Sequence, residues 1–316
     1  MGNNSASMSR MANVALPSIF HFPFSIHPPT QPLPLRVRNL DFNLARMSIM
    51  AMPGEAIPIQ AGASPALRKV HARCKTGTLC EERPGEFGYI ASAKSIEDLI
   101  TFTDSTTGER AQLQVFVLIP RTQVRGGTLR GYRIGTYSAN YTNPIYTPPP
   151  GFFEVNGTNA EAWLTPNVKV CDVVCKQTLG YPKYMFYHEK ILVKLEAALA
   201  ECRRRGLTKK RFSFVSGYRT PNYNEGIGNV SKSRHQYGDA ADVFIDNDGD
   251  GYMDDLNHDG KLDIKDADVL ADLVDKMDHS KTHAHLKGGL GRYNPKPGRT
   301  AFVHIDTRGS IARWVD

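Results

Sequence analysis

The sequence predicts an α+β fold, and three observations carry that expectation. Between residues 188 and 205, Ile191, Leu195, Ala198, Leu199 and Cys202 recur at helical spacing, which gives one apolar stripe to bury. Short apolar runs at 212–215, 243–245 and 302–305 have strand length and are rich in aromatic and β-branched residues. Upstream, Leu113, Val115, Val117 and Ile119 alternate with other residues, as in a strand with one buried face. A helix packed on strands with polar residues at their ends is an α+β arrangement.

Taken in order, residues 1–60 are rich in Pro, Ser, Asn and Met, and their weakly apolar stretch is broken by Pro17, His21 and Pro23. A disordered or targeting segment is expected there. Residues 61–150 are expected to form a small β-rich domain. Pro120 ends its clearest strand, Gly126-Gly127 and 131–137 mark a hairpin, and Pro148-Pro149-Pro150 is a stiff linker. Residues 151–316 then carry the long helix, with Gly206 as its stop.

Composition narrows the function classes. The chain has 316 residues, 41% of them hydrophobic and 22% charged, which is ordinary for a globular protein. No run of 18 apolar residues exists, so no transmembrane segment is expected. The formal net charge of +7 favours a polyanionic partner, either nucleic acid or an acidic cell-wall polymer. The densest basic cluster, Arg203 to Arg205 with Lys209, Lys210 and Arg211, brackets Gly206 at a helix end. Cations there complement the helix dipole, and no nucleic-acid partner is expected. Five cysteines are too few for a disulfide scaffold; Cys74 and Cys80 have the spacing to close a short loop, and the absence of a CxxC pair argues against a cysteine zinc site.

Three stretches carry chemistry: Ser216-Gly217-Tyr218-Arg219-Thr220-Pro221, then Ser233-Arg234-His235-Gln236-Tyr237-Gly238-Asp239-Ala240-Ala241-Asp242, then Phe302-Val303-His304-Ile305-Asp306. Each adjoins an expected strand, where rigid backbone holds a site. Two imidazoles and a carboxylate make the three-ligand set of a catalytic zinc, with a fourth position for water. In the last strand, His304 and Asp306 share a face, which puts Asp306 near any ion that His304 binds.

These stretches resemble the D-alanyl-D-alanine carboxypeptidase family of zinc peptidases, which shares its fold with the hedgehog signalling domain. The resemblance rests on Ser233, His235 and Asp242 with Gly238 and Ala240 between them, on the later strand residue His304, and on Ser216 to Arg219 upstream. It covers roughly residues 164–314 and implies that His235, Asp242 and His304 bind Zn2+. It further implies that Arg219 holds a substrate carboxylate or steadies an oxyanion, and that Ser233 and Tyr237 line the cleft. One departure stands out. Such relatives carry a general base two or three residues before the last zinc-binding His, where this chain has Phe302 and Ala301. Asp306 is the first candidate for a replacement, with His283 or His285 as alternatives.

An acidic insertion, residues 246–266, separates Asp242 from His304. Counted from Asp255, oxygen-bearing side chains fall at positions one, three, five, nine and twelve (Asp255, Asn257, Asp259, Asp263, Asp266), with Gly260 at six. That spacing is the calcium-loop pattern, and it resembles dockerin and EF-hand loops. Asp246, Asp248, Asp250 and Asp254 start a second, overlapping and less complete loop. Structural Ca2+ is therefore expected, followed by a helix over 267–277.

Together these features predict a peptidase, with Zn2+ and Ca2+, that hydrolyses peptidoglycan peptides at bonds involving D-amino acids. A periplasmic, cell-envelope or secreted location follows from that substrate. The alternative is a non-catalytic cell-wall binding module stabilised by the two metals.

Overall fold

The computed structural model describes residues 31–62, 69–138 and 142–316, and it is mixed α+β, with several sheets and few helices. In the N-terminal part, β1 (Leu35–Val37), β2 (Leu40–Phe42), β4 (Ala56–Ala61), β6 (Thr78–Arg83) and β7 (Glu86–Ile90) form a sheet in the order β2-β1-β4-β7-β6. A second sheet, β3-β9-β8-β5, is built from β3 (Arg46–Ala51), β5 (Val70–Arg73), β8 (Glu97–Asp104) and β9 (Arg110–Val117). Their inward residues, among them Leu35, Val37, Ile49, Ile57, Ile59, Leu113 and Val115, are buried.

Four of these strands lie within the segment expected to be disordered or targeting. The Pro-rich composition hid them, because each is short and Pro58 interrupts the most regular alternation; Pro is tolerated where its missing N–H leaves no ladder bond unmade. Residues 1–30, the remainder of that segment, lie outside the described residues. The expected division at residue 150 is also crossed. β10 (Ile119–Pro120) pairs with β13 (Gly151–Val155), which pairs with β14 (Lys183–Met185), so the two parts share a sheet. β11 (Thr128–Leu129) and β12 (Tyr132–Arg133) form the small hairpin between them.

Helix α1 (Val170–Val173) is a single turn, whereas α2 (Glu189–Arg204) buries Ile191, Leu192, Leu195, Ala198, Leu199 and Cys202. After α3 (Pro221–Gly226), helix α4 (Ile264–His279) begins at the cap residue Asp263 and buries Ala267, Leu270, Leu273, Val274 and Met277. Helix α2 packs on α4, and α4 packs on a five-stranded sheet, order β15-β16-β18-β17-β19. Its strands are β15 (Ser213–Ser216), β16 (Ala240–Phe244), β17 (Gly289–Tyr293), β18 (Phe302–Asp306) and β19 (Ala312–Val315). All five cysteines are free thiols, so the loop between Cys74 and Cys80 is not closed by a disulfide. Among the described residues, no helix is long and apolar enough to cross a membrane.

Candidate metal centre

The register of this sheet builds the site. Ser216 pairs with Asp242, Asp242 with His304, His304 with Gly291, and Gly291 with Trp314, which makes one row across all five strands. Residues opposite one another project to the same face. Asp242 and His304 therefore stand side by side, and a 3-10 turn, Arg234–Tyr237, lowers His235 onto them. Gly238 ends that turn at φ 74°, and a Cβ there would meet the Phe186 ring at 2.6 Å. Only glycine takes this left-handed conformation at so close an approach.

His235 Nε2, Asp242 Oδ1 and His304 Nδ1 form a near-equilateral triangle with sides of 3.0, 3.0 and 2.9 Å. All three residues are buried. The far side of each ring fixes its tautomer. His235 Nδ1 lies 2.6 Å from the Gly217 carbonyl, an acceptor only, so that nitrogen carries the proton. His304 Nε2 lies 3.2 Å from Asp306 Oδ2 and donates to it. In the neutral rings, three lone pairs then point at one another, an arrangement that repels unless a cation lies between them.

A tetrahedral zinc with bonds of ~2.0–2.1 Å keeps its ligand atoms ~3.3 Å apart, close to these separations, so the donor set fits that ion. The charges agree. Burial, followed by the Arg219 charge, lowers His235 to about 4, so its ring is neutral at neutral pH. Burial would raise Asp242, but the adjoining His235 and His304 rings and the Arg219 guanidinium outweigh it and hold this carboxyl well below its usual range. Burial pulls His304 down, yet its bonds to Asp242 and Asp306 prevail and raise it. A proton that these carboxylates favour on His304 is one that a metal ion at the same nitrogen would displace.

Around the triangle lies a bracing shell. Arg219 donates from Nη2 to Asp242 Oδ2 at 2.5 Å and from Nε to Ser216 Oγ at 2.7 Å. Asp306 is fully buried and accepts from the Gly289 amide (2.7 Å) and the Arg308 guanidinium as well as from His304. Beneath it, the fully buried Lys194 of α2 donates to the Asp306 carbonyl at 3.0 Å and pairs with Asp278 at 2.6 Å. Such carboxylate–histidine pairs orient a metal-binding ring and raise its basicity.

A cleft of about 770 Å³ opens over the triangle, lined by all three candidate ligands, Arg219, Ser233, Tyr293 and Trp314 among others. Three sequence expectations differ from this geometry. Asp306 shares the face of His304, but its carboxylate meets the ring nitrogen turned away from Asp242, so it braces His304 and does not reach the cleft as a base. Tyr237 lies outside the cleft lining and packs against Tyr137, Tyr146 and Arg234; two steps along a 3-10 turn point it away from the face of His235. His285 is exposed on the 3-10 turn Ala284–Leu286, and His283 bonds Ser280 Oγ at 3.1 Å, so neither joins the site. Sequence reasoning passed over Tyr293, Arg308 and Trp314. The signal was present in Gly289 and Gly291, two residues apart on the strand facing His304.

Gly291 makes the wall possible. A Cβ at this position would lie 2.3 Å from Trp314 Nε1, and the indole sits 5.1 Å from the His304 ring. Gly291→Ala should displace the indole and lower stability by ~1–3 kcal/mol, the usual cost of overpacking. Urea unfolding measures this; unchanged stability would mean that the indole does not cover Gly291.

The acidic insertion forms capped turns. Asp246, Asp248 and Asp254 bring one oxygen each to within 4.8 Å of one another. Asp250 instead accepts from the Tyr252 amide, Asp255 from Asp259 and Gly260, Asn257 from Asp259, and Asp259 from Lys261. Asp263 caps α4, while the buried Asp266 accepts the amides of Leu256, Asn257 and Asp263. The carboxylates expected to meet on calcium at 255–266 are engaged with backbone donors, and no three of them converge among the described residues. The calcium loop is not supported.

Residues 174–255 match the family model Peptidase M15. The match includes Arg219, Ser233, His235 and Asp242 and stops before His304, which the sheet supplies. No curated protein matches the chain. A nucleoside hydrolase-related hypothetical protein from Saccharophagus degradans is similar at 13% identity and a TM-score of 0.21, over 28% of this chain and 25% of that one. The ZirS C-terminal domain (13% identity, TM-score 0.18, 36% of this chain and 88% of that one) and the titin M3 domain (10%, 0.18, 27% and 97%) are similar in the same slight degree. At these scores the structural likenesses carry no argument.

Proposed function

We propose that this chain is a zinc metallopeptidase that hydrolyses peptidoglycan stem peptides at bonds involving D-amino acids, as a carboxypeptidase or endopeptidase of the periplasm or cell envelope. The observation that carries the proposal is the triangle of three buried lone pairs at the floor of an open cleft. The Peptidase M15 match over residues 174–255 supports it, as does a net charge of +7, which suits an acidic wall polymer.

Zinc, when bound, supplies a Lewis acid and a water whose pKa falls to ~7. The chain supplies the rest. His235, Asp242 and His304 hold the ion, while Arg219 fixes Asp242 and keeps a positive charge beside the position where a carbonyl oxygen gains negative charge. Ser233 lines the approach, and Lys232, Arg299 and Arg308 make its walls cationic, which favours a substrate bearing carboxylates.

The test is incubation of the purified protein with muropeptides, with and without a zinc chelator. Release of peptide fragments, lost with chelator and restored by zinc, is the expected result. Binding without cleavage by the zinc-loaded protein would instead favour a wall-binding module, a reading that draws on the missing general base at Ala301 and Phe302.

A further inference from the structure

We propose that Tyr293 is a catalytic hydrogen-bond donor, its hydroxyl donating a hydrogen bond to the substrate's carbonyl oxygen as that oxygen takes up negative charge. The proposal rests on the peptidase function above. Tyr293 lines the same cleft as His235, Asp242 and His304. It stands on β17 two residues from Gly291, the partner of His304, and so projects from the same sheet face one row along.

Its hydroxyl is anchored by Trp314. Trp314 Nε1 donates to the Tyr293 oxygen at 3.0 Å, so the phenol's own O–H remains available to a second partner. The ring is locked by stacking on Phe302 at 4.5 Å and 7°, and the Arg299 guanidinium covers both rings. Burial, with the charges of Asp242 and Asp316, raises the phenol above its ordinary value against the pull of Trp314 and Arg219. The group is therefore protonated at neutral pH, as a hydrogen-bond donor must be.

The partner of this stack completes the argument. Phe302 is one of the two positions, with Ala301, where the resemblance to zinc carboxypeptidases leads one to expect the general base. That flank of the site carries a phenol held across the neighbouring strand instead. A preorganised donor stabilises charge that develops during attack, a role that a base does not fill.

Tyr293→Phe in the full-length, zinc-loaded protein tests this. The ring stack and zinc content should persist and KM should hold, while kcat falls ~10²–10³-fold, the usual loss of one oxyanion donor. Affinity for a phosphinate dipeptide, whose tetrahedral anion mimics the attacked carbonyl, should fall ~10-fold or more. Trp314→Phe keeps the hydroxyl but not its anchor and should lose less. Wild-type kcat and phosphinate affinity in Tyr293→Phe would overturn the proposal, and so would loss of zinc. If the wild-type protein itself cleaves nothing, the peptidase function fails on its own, and the phosphinate measurement still decides the role of Tyr293.

Discussion

His235→Ala should empty the metal centre and abolish hydrolysis, with zinc content falling from one per chain to near zero. The imidazole reaches the triangle through Nε2 because Nδ1–H is bound to the Gly217 carbonyl at 2.6 Å. Alanine removes one of three ligands and leaves Asp242 and His304 buried, with nothing between their lone pairs. The loss of affinity should exceed the ~10–100-fold cost of losing a partner that only orients a ligand. Metal analysis and muropeptide hydrolysis measure the two effects together. A variant that keeps its zinc would show that the ion sits elsewhere.

Asp306→Asn has the second-largest expected effect, and it separates two roles for the same residue. A bracing carboxylate, once neutralised, no longer favours the His304 tautomer that leaves Nδ1 free, so zinc affinity should fall ~10–100-fold. Activity should then recover when excess zinc refills the site. A general base behaves otherwise: zinc would stay bound and kcat would collapse beyond rescue. The geometry favours the first outcome, because Asp306 is fully buried and accepts from His304, Gly289 and Arg308. These bonds, above all those of His304 and Arg308, outweigh burial and keep the carboxyl ionised, far below its ordinary range. A buried carboxylate with this many donors is a poor proton acceptor near neutral pH.

What the sequence made legible follows from which interactions are local. The stripe of Ile191, Leu195 and Leu199 announces α2 because helical periodicity is written within one segment. His235 and Asp242 were legible because a single turn and strand carry both. The role of Asp306 was not, since alternation gives the shared face but not which ring nitrogen the carboxylate meets. Strands β17 and β19 escaped for a related reason. Gly289 and Gly291 lower strand propensity, yet the close approach of Trp314 over Gly291 requires a residue without a side chain. Tyr237 was expected in the cleft from the family resemblance, whereas the tight turn that carries it sends its side chain away from the face of His235. In the acidic insertion, calcium-loop spacing coincides with the spacing of Asx caps. Spacing along the chain does not say whether a carboxylate turns toward a cation or toward a backbone amide.

Anomalous diffraction at the zinc absorption edge, from crystals grown with zinc, tests the central claim most directly. The account predicts one strong peak at ~2.0–2.2 Å from His235 Nε2, Asp242 Oδ1 and His304 Nδ1, with the fourth side open to the cleft. No peak at that point, or a peak confined to the acidic insertion, would contradict it.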